Sequence, residues 1–311
     1  MGSGSVTVNK SSIAEKSIRN EIIRKSRRPY AMIILPAILV TILFLIPFIW
    51  GIGLSFTNYR LNNPNAHINW GKTYYVLLSN IRFWKAALRT FQFTFFVVGI
   101  ELLFGFFIAF LLNNETAMAK IVRRVIVFPL MIAPIIGTIL LKLMLNNKFG
   151  VINFFLSFFG AGDFPWGASP STAMFTVVLV DVWIFTPFMV LIILAGLRSL
   201  PKDPFEAACV DGAAGKHILW NITLPMVMPT ILIAVIFRVI DSIKVFDVIW
   251  GMTAGGPGDT TTVFSILGYI FTFSSLDVAK GTTLLVLVWV ALIFLGNKMV
   301  AYWDKARARI E

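Results

Sequence analysis

The chain has 311 residues, 58% of them hydrophobic and only 14% charged. Soluble domains carry about 25% Asp, Glu, Lys and Arg, so this composition excludes an ordinary water-soluble globule and points to a bilayer protein. The net charge of +12 gives no reason to expect nucleic acid, because the basic residues collect at the ends of apolar runs, where they set topology. One cysteine, Cys209, and two histidines, His67 and His217, rule out an internal disulfide framework and a cysteine/histidine metal site.

The opening MGSGS reads as a cloning remnant, and no cleavable signal is evident after it. A membrane helix needs about 20 mostly apolar residues to cross about 30 Å of hydrocarbon. Six runs qualify, at roughly 30–56, 88–112, 122–145, 172–197, 221–249 and 282–303. The second is the cleanest, with Phe91 to Leu112 interrupted only by Gln92, Thr94 and Glu101; the fifth carries Arg238, Asp241, Lys244 and Asp247. Backbone groups in hydrocarbon must pair within their own span, and no barrel-like alternation is present. The expected fold is therefore an all-α integral membrane protein of about six transmembrane helices.

Lys and Arg fix the expected orientation. They crowd the N-terminal tail (Lys10, Lys16, Arg19, Arg24, Lys25, Arg27, Arg28), the even-numbered connections (Lys120, Arg123, Arg124; Arg198, Lys202, Lys216) and the C-terminal tail (Lys305, Arg307, Arg309). Both termini are then cytoplasmic by the positive-inside rule, giving tails at 1–29 and 304–311 around one membrane domain at 30–303. The external connection 57–87 holds Trp70, Tyr74, Tyr75, Phe83 and Trp84, which suit a headgroup-level belt. A second external loop, 146–171, is rich in glycine and proline.

Residues 200–229 read LPKDPFEAACVDGAAGKHILWNITLPMVMP. Asp203 can cap a helix, Pro204 suits its first position, and Glu206 stands where a capping-box acid belongs. A short helix at 204–211 should end at Gly212, which tolerates the left-handed conformation. A second segment should run from about Gly215 to Pro225 and bend there into the membrane. The loop is thus a helical elbow on the cytoplasmic face. The run Gly212-Ala213-Ala214-Gly215-Lys216-His217 is no phosphate loop: the G-x-x-x-x-G-K-S/T pattern is unmet and no strand precedes it. Asn221-Ile222-Thr223 fits a glycosylation pattern, but on the wrong side of the membrane.

This stretch resembles the EAA loop of importer permeases in the ATP-binding-cassette superfamily. The match rests on Glu206-Ala207-Ala208, Asp211-Gly212-Ala213 and Ile222-Thr223-Leu224-Pro225. Upstream, 183–200 looks like the family's fourth span; downstream, Thr253-Ala254-Gly255-Gly256-Pro257 looks like its external GGP turn, and Tyr269-Ile270 like the segment after that turn. The spacing is similar to that of the carbohydrate branch, and the turn to the first, maltose-type permease of a nonidentical pair. The resemblance covers most of the chain and implies the importer-permease fold, with a coupling loop at about 200–225.

It also implies partners: a second homologous permease, two ATPase subunits that bind ATP and Mg, an extracytoplasmic solute-binding protein, and a bacterial cytoplasmic (inner) membrane. This chain would hold no cofactor and catalyse nothing. Glu206, Ala207, Ala208, Asp211 and Gly212 would dock on the ATPase, with Glu206 facing a basic residue there or simply capping its own helix. Phe185 and Phe188 in the fourth span, with Arg238, Asp241 and Ser242 in the fifth, occupy positions that line the sugar pathway in maltose-type permeases.

The residues themselves leave alternatives. Arg238, Asp241 and Ser242 share one helical face with Val245. An intramembrane charge is expensive and faces a partner or a wet cavity. Arg238 and Asp241 therefore suit a structural ion pair as well as a pocket, and Arg238 in a pocket would suit an acidic glycan beside a neutral one. Lys244 and Asp247 could pair on the opposite side. Glu101 and Asp181 are lone acids of spans two and four, and Lys142 should snorkel to an interface. The competing function is an ion-coupled secondary transporter of a small polar solute, which gives the elbow no purpose. A membrane enzyme lacks a His, Cys or carboxylate constellation on either side.

Overall fold

The computed structural model describes residues 10–63 and 65–308, with side chains from Met32 onward. The remnant at 1–5, the basic side chains at 10–28 and Arg309 lie outside what is described. Helix α1 (Lys10–Ser55) runs without a break across the expected tail boundary at 29/30. Its apolar part, Met32–Ser55, is long and hydrophobic enough to span a bilayer, and its side chains are exposed from Met32 through Trp50. The chain divides into two compact units after Gly53.

The second unit is helical almost throughout. Among the described residues its only extended pairing is two isolated bridges, Thr57 with Ile68 and Arg60 with Asn63. Its helices are α2 (Lys72–Leu78), α3 (Ile81–Leu112), α4 (Ala117–Val125), α5 (Phe128–Met131), α6 (Pro134–Met144) and α7 (Val151–Ser157). There follow α8 (Pro170–Arg198), α9 (Asp203–Val210), α10 (Gly215–Ile218), α11 (Leu224–Ile243), α12 (Asp247–Thr253), α13 (Phe264–Tyr269) and α14 (Val278–Arg307). Local chemistry sets several starts. The Asn80 side chain accepts from the Arg82 N–H at 2.8 Å to open α3, and Thr116 accepts from Ala119 N–H at 3.2 Å to open α4.

Five helices of the described chain are long and apolar enough to cross a membrane, six if one bent pair counts as a span. That pair corrects the sequence reading of 122–145 as a continuous helix. Ala117–Met131 and Pro134–Met144 meet at 98°. Pro134 pushes the preceding residue out of the helical region, and both Ile132 (ψ 137°) and Ala133 (ψ 131°) are extended. The fifth run, read as 221–249, is likewise broken. Helix α11 ends at Ile243, Phe246 leaves the helical basin (φ −127°), and α12 starts afresh at Asp247. Ser265 Oγ donates to the Val245 carbonyl at this break. Lys244 ends α11 and Asp247 opens α12; no ion pair joins them among the described residues.

Small residues set how closely the long helices approach. A Cβ on Gly105 of α3 would fall 2.6 Å from Met189 Cβ on α8, and one on Gly196 of α8 would fall 2.6 Å from Thr230 Cγ2 on α11. Around these contacts Ala109, Val190, Ile193, Leu194, Val227 and Ile231 form one buried cluster. Another joins Phe93, Val97, Val177, Ile184, Ile249 and Ile266. Phe83 belongs to neither belt nor surface: it is buried with Leu77, Leu267 and Leu284 and touches the Phe264 ring. Of the expected belt residues, Trp70, Tyr75 and Trp84 are exposed. Lys142 donates to the Gly251 carbonyl at 2.9 Å, so its ammonium closes on α12.

At one end of the bundle Arg82 grips Asp259 with both arms, Nε to Oδ2 at 3.1 Å and Nη2 to Oδ1 at 3.0 Å. This ties the start of α3 to the 254–263 turn. The Arg82 hydrogen bonds hold the Asp259 carboxyl below its ordinary range. A depressed folded-state value means that the tie is fully present above the unfolded value of about 3.9 and fades as pH falls through the folded one. Asp259→Asn should therefore lower the unfolding temperature at neutral pH and make progressively less difference below about pH 4. Separately, Gly105→Leu should destabilise the α3–α8 contact by about 1–3 kcal/mol, read as a lower unfolding temperature of the purified protein in detergent.

Candidate functional site

Two features stand apart from packing: an exposed elbow between α8 and α11, and a cluster of charges buried where α3, α8 and α11 meet. The elbow starts with α9. Lys202 is already helical (φ −81°, ψ −28°) and makes no side-chain cap bond, so Asp203 is the first helical residue and not the cap expected from sequence. Asp203 and Glu206 instead place two acids in the first turn, where the free N–H groups favour negative charge. The far end is closed by two backbone bonds, Ala213 N–H to Ala208 O at 2.9 Å and Gly212 N–H to Cys209 O at 3.1 Å. This is the Schellman pattern, and Gly212 supplies the left-handed residue it needs, φ +70°.

Glu206, Ala207, Asp211 and Gly212 are exposed, whereas Ala208 is only 8% exposed and faces its own chain. No heavy atom lies within 4 Å of a Cβ built on Gly212, so conformation and not crowding within this chain calls for glycine there. A cavity of about 600 Å³ lies between the two arms, lined by Ala207, Ala208, Asp211, Ala213, His217 and Ile222 among others. The second arm does not bend at Pro225 as expected. Gly215–Ile243 is continuous, widened by a π-turn at Leu219–Thr223 in which Leu224 N–H reaches Leu219 O. The wider turn absorbs the missing Pro225 N–H. The elbow is thus joined without a hinge to a span.

The charge cluster is centred on Arg238, 2% exposed. Its Nε and Nη2 fork onto Glu101 of α3 at 2.6 and 2.8 Å; Nη2 also reaches Asp181 of α8 at 2.6 Å, and Nη1 reaches Asp241 at 2.9 Å. The Phe185 ring covers the guanidinium at 4.2 Å from its centroid. Four of the five N–H donors of the guanidinium are used, so Arg238 has little left to offer a ligand. Asp241 differs: its side chain is 55% exposed. Ser242 is buried, its Oγ 3.1 Å from Thr94 Oγ1, and Phe188 is half-buried.

Of the five pathway candidates, the fold brings Phe185, Arg238 and Asp241 together, sets Ser242 beside Thr94, and leaves Phe188 outside these contacts. Sequence reasoning treated Glu101 and Asp181 as lone acids. They are the two principal partners of Arg238, and one acid in each of two spans facing one arginine in a third was the available signal.

Apolar spans pinned by a buried charge cluster, with an elbow built onto one of them, describe a multi-pass membrane protein. The family model described as "Binding-protein-dependent transport system inner membrane component" matches residues 101–309, and the chain belongs to that family. It is 33% identical over 271 residues to the trehalose/maltose transport system permease protein MalF of Thermococcus litoralis, covering 87% of this chain and 91% of that one. It is 31% identical over 255 residues to the sulfoquinovosyl glycerol transport system permease protein SmoG of Agrobacterium fabrum, covering 81% and 82%. Its fold is that of a chain in a bacterial ABC transporter involved in import of the acidic polysaccharide alginate, with TM-score 0.79, 21% identity, and coverage of 92% and 98%.

Removing one member of a buried, hydrogen-bonded ion cluster leaves uncompensated charge and costs about 3–5 kcal/mol. Arg238→Ala should accordingly lower the unfolding temperature sharply, with Glu101→Gln intermediate. Asp241→Asn, at the exposed corner, should change it little. Thermal unfolding of the three variants in one detergent reads the order.

Proposed function

We propose that this chain is the membrane-spanning subunit of an ATP-driven importer of neutral oligosaccharides. It would work with a second, homologous permease, two ATPase subunits that hold ATP and Mg, and an extracytoplasmic solute-binding protein, in a cytoplasmic membrane with both its termini inside. The observation that carries the reading is the elbow. A Schellman-closed helix, acidic at its start and exposed along Glu206, Ala207 and Asp211, turns at 211–214 into a second arm that is continuous with a span, Gly215–Ile243. Such a part can take a push from a neighbouring protein and deliver it to the bundle. A secondary transporter would have no use for it.

Nucleotide-driven closure of the ATPase pair would move the elbow and, through α11, shift the bundle between inward- and outward-facing forms. Glu206 would meet a basic group of the ATPase, and Gly212 would preserve the turn. The carbohydrate cargo rests on the relatives named for trehalose, maltose and sulfoquinovosyl glycerol. Neutrality rests on the cluster. Arg238 is enclosed by Glu101 and Asp181, while the accessible charge at that place is the Asp241 carboxylate, which accepts sugar hydroxyls and repels a uronate.

Cys209 is the only cysteine and is exposed on α9, so the native chain carries its own probe. In the assembled complex a short thiol-to-amine cross-linker should join Cys209 to an ATPase subunit, and recovery of this chain alone in every cross-linked product would contradict docking. Gly212→Val forces a β-branched residue into a conformation that costs about 1–2 kcal/mol. It should cut cargo uptake at least tenfold while ATP hydrolysis by the complex continues.

A further inference from the structure

The broken fifth run creates an aromatic feature that neither the elbow nor the charge cluster uses. Phe246, at the break, stacks on Trp250 of α12 with centroids 5.6 Å apart and planes 13° apart. Trp250 meets Tyr269 of α13 at 4.4 Å, and Tyr269 meets Phe273 at 5.1 Å. Phe246, Trp250 and Tyr269 are half-buried and Phe273 is 61% exposed. Neither the Trp250 indole N–H nor the Tyr269 hydroxyl has a hydrogen-bond partner among the described residues.

The row is held by its back. The other face of α12 is buried through Val248, Ile249 and Met252, and Gly251 fits so closely that an added Cβ would lie 3.0 Å from Ile135 and Thr138 of α6. Behind Tyr269 and Phe273, Leu267 and Phe271 pack with Leu284. A Cβ on Gly281 of α14 would run into the Thr272 hydroxyl of the π-turn Ile270–Ser274. This π-turn sets Tyr269 and Phe273 side by side; such turns recur at functional sites.

A lipid-facing belt and a sugar track both use aromatic rings with polar edges. The position distinguishes them. The row begins five residues after Asp241, which lies in the last turn of α11 and whose side chain is 55% exposed. Facing lipid, that carboxylate would cost about 2.5–3.5 kcal/mol. A hydrated path accommodates both groups. We propose that Phe246, Trp250, Tyr269 and Phe273 form a binding track for the apolar faces of a neutral oligosaccharide, leading to Asp241. The proposal rests on the importer reading and adds a place where successive sugar rings stack, with Trp250 N–H and Tyr269 O–H free to bond their hydroxyls.

The test uses the full complex in proteoliposomes with trehalose, maltotriose, maltopentaose and xylotriose, each beside an oligouronate of matching length. Trp250→Ala and Tyr269→Ala should raise the concentration for half-maximal uptake of the preferred neutral sugar about fivefold, an effect the size of one aromatic contact. Trp250→Phe should retain most of the affinity, which separates lost stacking from misfolding. The Trp250 fluorescence, taken as wild type minus Trp250→Phe, should respond to that sugar and not to brominated lipid. Quenching by brominated lipid with unchanged uptake in the alanine variants would make the row a membrane belt and overturn the track alone. Loss of the second permease from the complex in those variants would make it a subunit contact. If wild type takes up no sugar of the panel, the carbohydrate reading falls and the track with it.

Discussion

A guanidinium buried at Arg238 and held by carboxylates from two other helices is the constraint around which the bundle is arranged. Glu101, Asp181 and Arg238 stand on α3, α8 and α11 and are at most 2% exposed. An isolated charge at that depth is costly, so each helix is bound to present its member at one height and one rotation. The Glu101 fork is directional, and Phe185 closes the remaining face of the guanidinium. Close approach at Gly105 and Gly196 is what brings the three helices near enough for these bonds. Swapping such clusters for apolar side chains is often neutral or stabilising in other proteins, so the geometry speaks for register, one member on each of three helices, and not for a net gain in stability.

The cluster and the elbow share α11. Gly215–Ile243 is one continuous helical rod with a π-turn near its start. The same helix therefore carries α10 at one end and Arg238 near the other, and Arg238 bonds α3 and α8. Past Ile243 the rod stops, and α12 begins a separate segment fastened to α6 and α8. Motion delivered from the elbow thus reaches the level of Asp241 and meets a break there.

How far the sequence foretold this differs feature by feature. Spans around 88–112, 172–197 and 282–303 were legible because hydrophobicity and length fix them independently of packing. Gly212 as a left-handed helix stop was legible because φ > 0 is a local property. The 98° bend was in reach, since Pro129 and Pro134 both sit in the third run, but apolarity masked it. The break at 244–246 has no proline or glycine, and the residue that bonds its Val245 carbonyl, Ser265, lies twenty positions on. The pairing of Glu101 and Asp181 with Arg238 is tertiary: each acid looks lone in its own span. The aromatic row was invisible because Phe246, Trp250 and Tyr269 converge only after the break redirects α12.

The mechanism stands or falls on the source of energy. The direct measurement is uptake of radiolabelled neutral oligosaccharide into proteoliposomes containing this chain with its second permease, ATPase pair and solute-binding protein. ATP should drive uptake with all ion gradients collapsed, and omission of the ATPase subunits should abolish it. Uptake that persists without those subunits and follows an imposed proton or sodium gradient would contradict the elbow as the point where force enters.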